Sequence, residues 1–186
     1  MAMDRIEQRL HRVTTALDAA QIPYAVVGGN AVAVWVAKAD PAATRTTKDV
    51  DLLVSRLDVD RITSVMQQLG FIREDLRSLV LFIDPEEPAR RSGVHLVWAD
   101  EKVRPSYLHP TPGVDEAVRD EAGFLVLDLQ ALIRMKLTSH RDIDRVHISD
   151  LLAVGMVDDQ IRDSLPTDLL QRLTDIEQSR DTTLDD

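Results

Sequence analysis

The sequence predicts an α/β (α+β) fold: a mixed β-sheet of about four or five strands, flanked by helices and followed by a helical C-terminal part. Three observations predict it. Short apolar runs rich in β-formers alternate with helix-patterned segments early in the chain. Helical periodicity then takes over, which divides the chain into an α/β core over 1–125 and a helical region over 126–186 packed on it. Finally, 186 residues with 44% hydrophobic and 29% charged positions suit one soluble core.

Residues 4–21 read as a helix, because Ile6, Leu10, Val13 and Leu17 recur at spacings of three and four, and Pro23 stops it. Tyr24 to Gly28 is a short buried strand, and helical composition resumes from Gly29 to Lys38. The polar segment 40–48 is a loop, and Asp49 to Val54 is the next strand. Asp58 is placed to cap a helix running to Leu69, with Gly70 at its C-terminal end. Ser78 to Ile83 and Val94 to Ala99 are two further apolar runs that pair as antiparallel neighbours. The stretch 101–123, with Pro105, Pro110, Pro112 and Gly113, reads as irregular. Phe124 to Leu127 is a last short strand or the approach to a helix. Asp128 caps a helix carrying Leu129, Leu132, Ile133, Met135 and Leu137, and the pattern stays helical to Arg180 with breaks near Gly155 and Pro166. The acidic tail DTTLDD reads as frayed.

Composition excludes several classes of function. The absence of cysteine removes disulfides, thiolate zinc sites, iron–sulfur clusters and cysteine nucleophiles. A net charge of −10 argues against a protein that coats nucleic acid, because phosphate neutralisation needs surplus Lys and Arg. A local basic groove built from Arg45, Lys48, Arg134, Lys136 and Arg141 would offset it. Charges run through the first residues with no apolar segment before a small-residue site, and no stretch reaches the ~20 apolar residues of a membrane helix. The expectation is a cytoplasmic protein with no membrane association.

Two features carry chemistry. Val27-Gly28-Gly29-Asn30 lies at a strand-to-helix junction, and Asp49-Val50-Asp51 opens the next strand 20 residues after Gly29. Alternation along a strand puts Asp49 and Asp51 on one face, where their repulsion is relieved by a hard cation such as Mg²⁺. A Gly-Gly turn at a helix start lets backbone N–H groups approach phosphate. Together they describe a site for a metal-bound polyphosphate.

The pattern resembles the signature of the DNA polymerase beta-like nucleotidyltransferase superfamily. Gly28-Gly29-Asn30-Ala31 is followed by Arg45-Thr46-Thr47-Lys48-Asp49-Val50-Asp51-Leu52, and this form is most similar to the AbiEii-type abortive-infection toxins and neighbouring small, uncharacterised transferases. A second stretch, Leu132 to Leu137 followed by Arg141-Asp-Ile-Asp144-Arg145 and Asp150-Leu151, resembles the later helices of the same group. The resemblance implies a nucleotidyltransferase-type fold. It also implies that Asp49 and Asp51 hold Mg²⁺ (or Mn²⁺) against an NTP, with ATP as the expected donor. Gly28, Gly29 and Asn30 would contact the nucleotide, and Arg45, Lys136 and Arg141 would neutralise phosphate. An acceptor hydroxyl on RNA, protein or a small molecule would attack the α-phosphate. A toxin–antitoxin setting, with a cognate protein partner or a homodimer, is part of the same implication.

One departure matters. The family carries a third carboxylate on a neighbouring strand, where this chain has His95 in Val94-His95-Leu96-Val97-Trp98. An imidazole accepts protons near neutrality and ligates metals, but is a poorer Mg²⁺ ligand than a carboxylate. His95 is therefore the third catalytic candidate beside Asp49 and Asp51, with Asp84 and Asp100 as possible substitutes for the missing carboxylate. The alternative is a catalytically degenerate nucleotide-binding or protein-interaction module of the same fold. His140 and His147 read as surface helix residues. Asp144 or Asp150 reads as an ion-pair support for Lys136 or Arg141.

Overall fold

The computed structural model describes the backbone of residues 2–76 and 79–184. Ser78 and the end of the acidic tail lie outside the described residues. Seven strands form one mixed sheet: β1 (Tyr24–Val27), β2 (Val50–Val54), β3 (Ile72–Leu76), β4 (Leu79–Ile83), β5 (Val94–Trp98), β6 (Ala117–Arg119) and β7 (Leu125–Leu127), in the order β3-β4-β5-β2-β1-β7-β6. The helices are α1 (Ala2–Ala19), α2 (Gly28–Ala39), α3 (Val59–Gln68), α4 (Leu129–Ser139), α5 (Asp142–Ala153), α6 (Asp159–Ser164) and α7 (Thr167–Leu184).

The count of four or five strands is therefore too low. The additional strands are β3 and β6, which lie at the two edges of the sheet. Both carry charge and expose much of their length, so neither shows the apolar run that marks a central strand. The central strands are the legible ones: every residue of β1 is buried, as are Val50, Leu52, Leu53 and Val54 of β2.

Local signals account for the helix ends. Asp128 caps α4 as expected, its carboxylate accepting from the N–H groups of Gln130 and Ala131. Asp58 makes no side-chain cap on α3; Ser55 instead caps the short 3₁₀ turn that precedes it. The break after α5 falls at Gly155, whose φ of +72° is the left-handed conformation glycine tolerates best. Helices α1 and α3 pack on each other, while α4, α5 and α7 contact one another and α2 packs on α4 and α5.

Register positions the site. β1 runs antiparallel to β2 with Val27 opposite Asp51, and β2 runs parallel to β5 with Asp51 opposite His95. β4 then pairs antiparallel with β5, Leu81 opposite His95. The end of β1, the start of β2 and the start of β5 thus converge, and α2 begins at that point with Gly28. Among the described residues, no helix is long and apolar enough to cross a membrane.

Candidate active site

Asp49, Asp51 and His95 meet at this convergence, each half-buried, with one ligand atom from each within 4.8 Å of the others. His95 Nε2 lies 2.9 Å from the Arg90 carbonyl, which can only accept, so Nε2 carries a hydrogen. Nδ1 therefore faces the carboxylates, 3.3 Å from Asp51 and 3.6 Å from Asp49. The hydrogen bond with Asp51 raises the His95 pKa, burial opposes it, and the Arg90 carbonyl and the two negative charges raise it further.

Gly28 is required here for two reasons. Its φ is +66°, and a Cβ would fall 2.0 Å from Asp51 Oδ2. Gly29 lies close to the loop as well, though less tightly, since a Cβ there would sit 3.0 Å from Thr47 Oγ1. Val27, the residue preceding α2, gives the helix no side-chain cap, which leaves its first N–H groups open to an anion beside Asp51. Thr47 donates to Asp49 Oδ1 at 2.7 Å and fixes that carboxylate.

The three residues open into a cleft of about 410 Å³ that also takes in Gly28, Gly29, Lys136 and Arg141. Lys136 is only 5% exposed, with Nζ 3.1 Å from Asp144, and Arg141 binds the same carboxylate at 2.7 and 3.2 Å. Burial would push the Asp144 carboxyl up, but the Arg141 hydrogen bond, the Lys136 charge and the Ser139 hydroxyl hold it well below the ordinary range. Asp144 is thus the support for both basic residues.

Two expected contacts lie elsewhere. Arg45 does not line the cleft; it makes a two-pronged pair with Asp150 at 2.6 and 3.1 Å, tying the loop before β2 to α5. Asn30 also lies outside the cleft lining, and donates to the Asp49 carbonyl at 2.7 Å, joining α2 to β2. Both make their polar contacts within the chain, Arg45 at the exposed surface. The five-residue basic groove does not form either, because Arg45 pairs with Asp150, Arg134 pairs with Glu116, and Lys48 stands outside the cleft. Asp84 pairs with Arg12 and Asp100 is exposed; neither lines the cleft, so neither replaces the third carboxylate.

His147 was expected on the surface, and instead it is half-buried in the cleft wall. Burial and the Lys136 charge push its pKa down to about 4, so the ring is neutral at pH 7. It stands three residues beyond Asp144 on the same helical face, which was the available signal. Thr47, two residues before Asp49, is the other contributor that motif reading left unassigned.

Residues 2–174 match the family described as uncharacterised nucleotidyltransferase. The chain belongs to that family. It is a nucleotidyltransferase, and its mixed sheet is the fold of that class. The solution structure of the antibiotic-resistance factor ANT(2'')-Ia is similar over 100% of this chain and 97% of that one, with a TM-score of 0.58 and 16% identity. ANT(2'')-Ia in complex with adenylyl-2''-tobramycin is similar over 86% of this chain and 98% of that one (TM-score 0.52, 18% identity). The lincomycin-bound lincosamide adenylyltransferase LnuA is similar over 80% and 97% (TM-score 0.56, 12% identity). No curated protein matches the sequence significantly. These similar structures are an antibiotic-resistance factor and an antibiotic adenylyltransferase, and they do not single out the AbiEii-type toxins.

Proposed function

We propose that this nucleotidyltransferase moves the NMP of an NTP, with ATP as donor, onto a hydroxyl acceptor in a reaction that needs a divalent cation. The observation that carries the reading is the convergence of Asp49, Asp51 and His95 beside the open N-terminus of α2. Adenylyl groups named in two of the similar structures support ATP. Use of an NTP donor supports a cytoplasmic setting.

The donor set fits a divalent cation. Asp49 and Asp51 supply the oxygens that Mg²⁺ or Mn²⁺ prefers, and His95 Nδ1 supplies a third ligand atom at compatible spacing. When bound, such an ion neutralises triphosphate charge and polarises the α-phosphoryl group. Gly28, Gly29 and the first turn of α2 hold the β- and γ-phosphates through backbone N–H groups. Lys136 and Arg141 add positive charge, held in place by Asp144. The acceptor oxygen attacks the α-phosphorus, its proton leaves to a base, and the bond to pyrophosphate breaks. A toxin–antitoxin setting with a cognate partner draws its support from the Arg45-x-Thr47-x-Asp49 motif.

A second reading, a nucleotide-binding module without catalysis, is favoured by His95 itself. Its Nδ1 lies 3.3 Å from Asp51 and 3.6 Å from Asp49, so a proton there would supply the positive charge that a cation otherwise brings. Label transfer separates the two. With ATP labelled at the α-phosphate, a size-fractionated extract gains label in the wild type and not in Asp51→Ala; γ-labelled ATP transfers none. Absence of α-label transfer from all four NTPs, with Mg²⁺ or Mn²⁺, contradicts the enzymatic reading.

A further inference from the structure

We infer that the acceptor is an uncharged or acidic hydroxyl compound with an apolar body, and not a polyamine; this rests on the nucleotidyl-transfer reading above. In-line displacement puts the entering and leaving oxygens on opposite sides of the α-phosphorus. With the triphosphate against Gly28 and Gly29 at the end of β1, the acceptor enters from the other side of Asp49 and Asp51, where β5 and β4 lie.

Apart from His95, the strands on that side line the cleft with apolar residues. Val97 lies on the same face of β5 as His95, and Leu79 on the same face of β4 as Leu81, the partner of His95. Val103 and Tyr107, from the connection after β5, line the cleft beside the polar His109 and Thr111 of the same connection, and Ile143, on α5, adds a further apolar lining position. These positions are incompletely covered: Leu79, Val97 and Tyr107 are half-buried, while Val103 is 46% exposed and Ile143 50%.

The cleft has no spare negative charge. Its carboxylates among the described residues are Asp49, Asp51 and Asp144. The first two face each other and His95, and the third is 1% exposed beneath Lys136 and Arg141. The scarcity is local, since the chain carries 32 acidic residues against 22 Lys and Arg. An ammonium group brought into this wall loses its water and gains no carboxylate, whereas an aromatic or aliphatic body gains contact. Tobramycin, whose adenylyl derivative is bound in one of the similar structures, is a polyamine, so this cleft discriminates against it.

Calorimetry tests the inference in two stages. Binding of α,β-methylene-ATP with Mn²⁺ is measured first, and the saturated protein is then titrated with 4-nitrophenyl β-D-glucoside, a neutral aromatic polyol, or with tobramycin. The expected result is at least tenfold tighter binding of the glucoside. Val103→Glu and Ile143→Glu, at exposed positions and checked for folding by their melting temperatures, should each weaken the glucoside about tenfold and strengthen tobramycin. Equal or tighter binding of tobramycin by the wild type overturns the inference. So does glucoside binding that neither variant changes, or failure of both probes on protein that binds the analogue. Failure of the analogue itself instead counts against the nucleotide site of the proposed function.

Discussion

Gly28→Ala isolates the tightest contact in the site. The added Cβ would lie 2.0 Å from Asp51 Oδ2 and 2.8 Å from its Cγ. Unstrained contacts need about 3.5 Å, so the carboxylate must retreat by more than ~1 Å. The left-handed backbone at φ +66° separately costs an alanine roughly 1–2 kcal/mol. For a chain of this size that corresponds to a melting temperature lower by about 2–8 °C. Gly70→Ala is the matched control: its φ is +86° and nothing lies within 4 Å of its Cβ position, so it carries the strain without the collision. Both variants should therefore melt early, but only Gly28→Ala should lose function. A ~1 Å displacement of a catalytic group costs on the order of 10²-fold in rate. Scanning calorimetry gives the first quantity, and metal-dependent ATP binding with α-label transfer gives the second. If Gly28→Ala binds nucleotide and transfers label as well as Gly70→Ala does, the placement of Asp51 against the Gly28 turn has no part in function.

Other expectations follow from single contacts. Thr47→Val removes the 2.7 Å hydrogen bond to Asp49 and should weaken Mn²⁺ binding by about 10–100-fold with little change in melting temperature. Asp144→Asn leaves Lys136 as an uncompensated buried charge and should cost about 3–5 kcal/mol in denaturant unfolding. Because the Asp144 pKa is depressed in the fold, its stabilisation is present above about pH 4 and is lost as pH falls below that; the variant should flatten this acid limb. His147 prefers to be neutral when folded, so wild-type stability should fall as pH drops from about 6.5 towards 4, and His147→Gln should remove that slope in acid titrations followed by circular dichroism. His95→Asp restores an all-oxygen ligand set and should raise Mg²⁺ affinity relative to wild type, read by isothermal titration.

The sequence carried the centre of the site better than its rim. Asp49 and Asp51 share a face by strand alternation alone, and the Gly28-Gly29 turn announces an anion-compatible helix start. The β5 run is visible as an apolar segment, but its place beside the aspartates comes from the family resemblance, and the parallel pairing of β2 and β5 sets Asp51 opposite His95. The edge strands β3 and β6 were not visible, because exposed charged segments bury too little to impose a pattern. Arg45 and Asn30 have partners in the fold that the sequence does not show, for a different reason. A motif supplies the residue type, but its partner, Asp150 or the Asp49 carbonyl, is set by long-range packing. His147 shows the same limit: its burial depends on how α5 meets α2 and the loop before β2.

The most direct measurement is calorimetric binding of ATP with Mg²⁺ or Mn²⁺, compared with metal-free buffer, for the wild type and for the Asp49→Ala/Asp51→Ala double variant. The account predicts binding that needs the cation and disappears in the double variant while the fold persists. Binding of ATP without a cation, or with equal affinity in the double variant, would contradict the assignment of this cluster as the metal–nucleotide site.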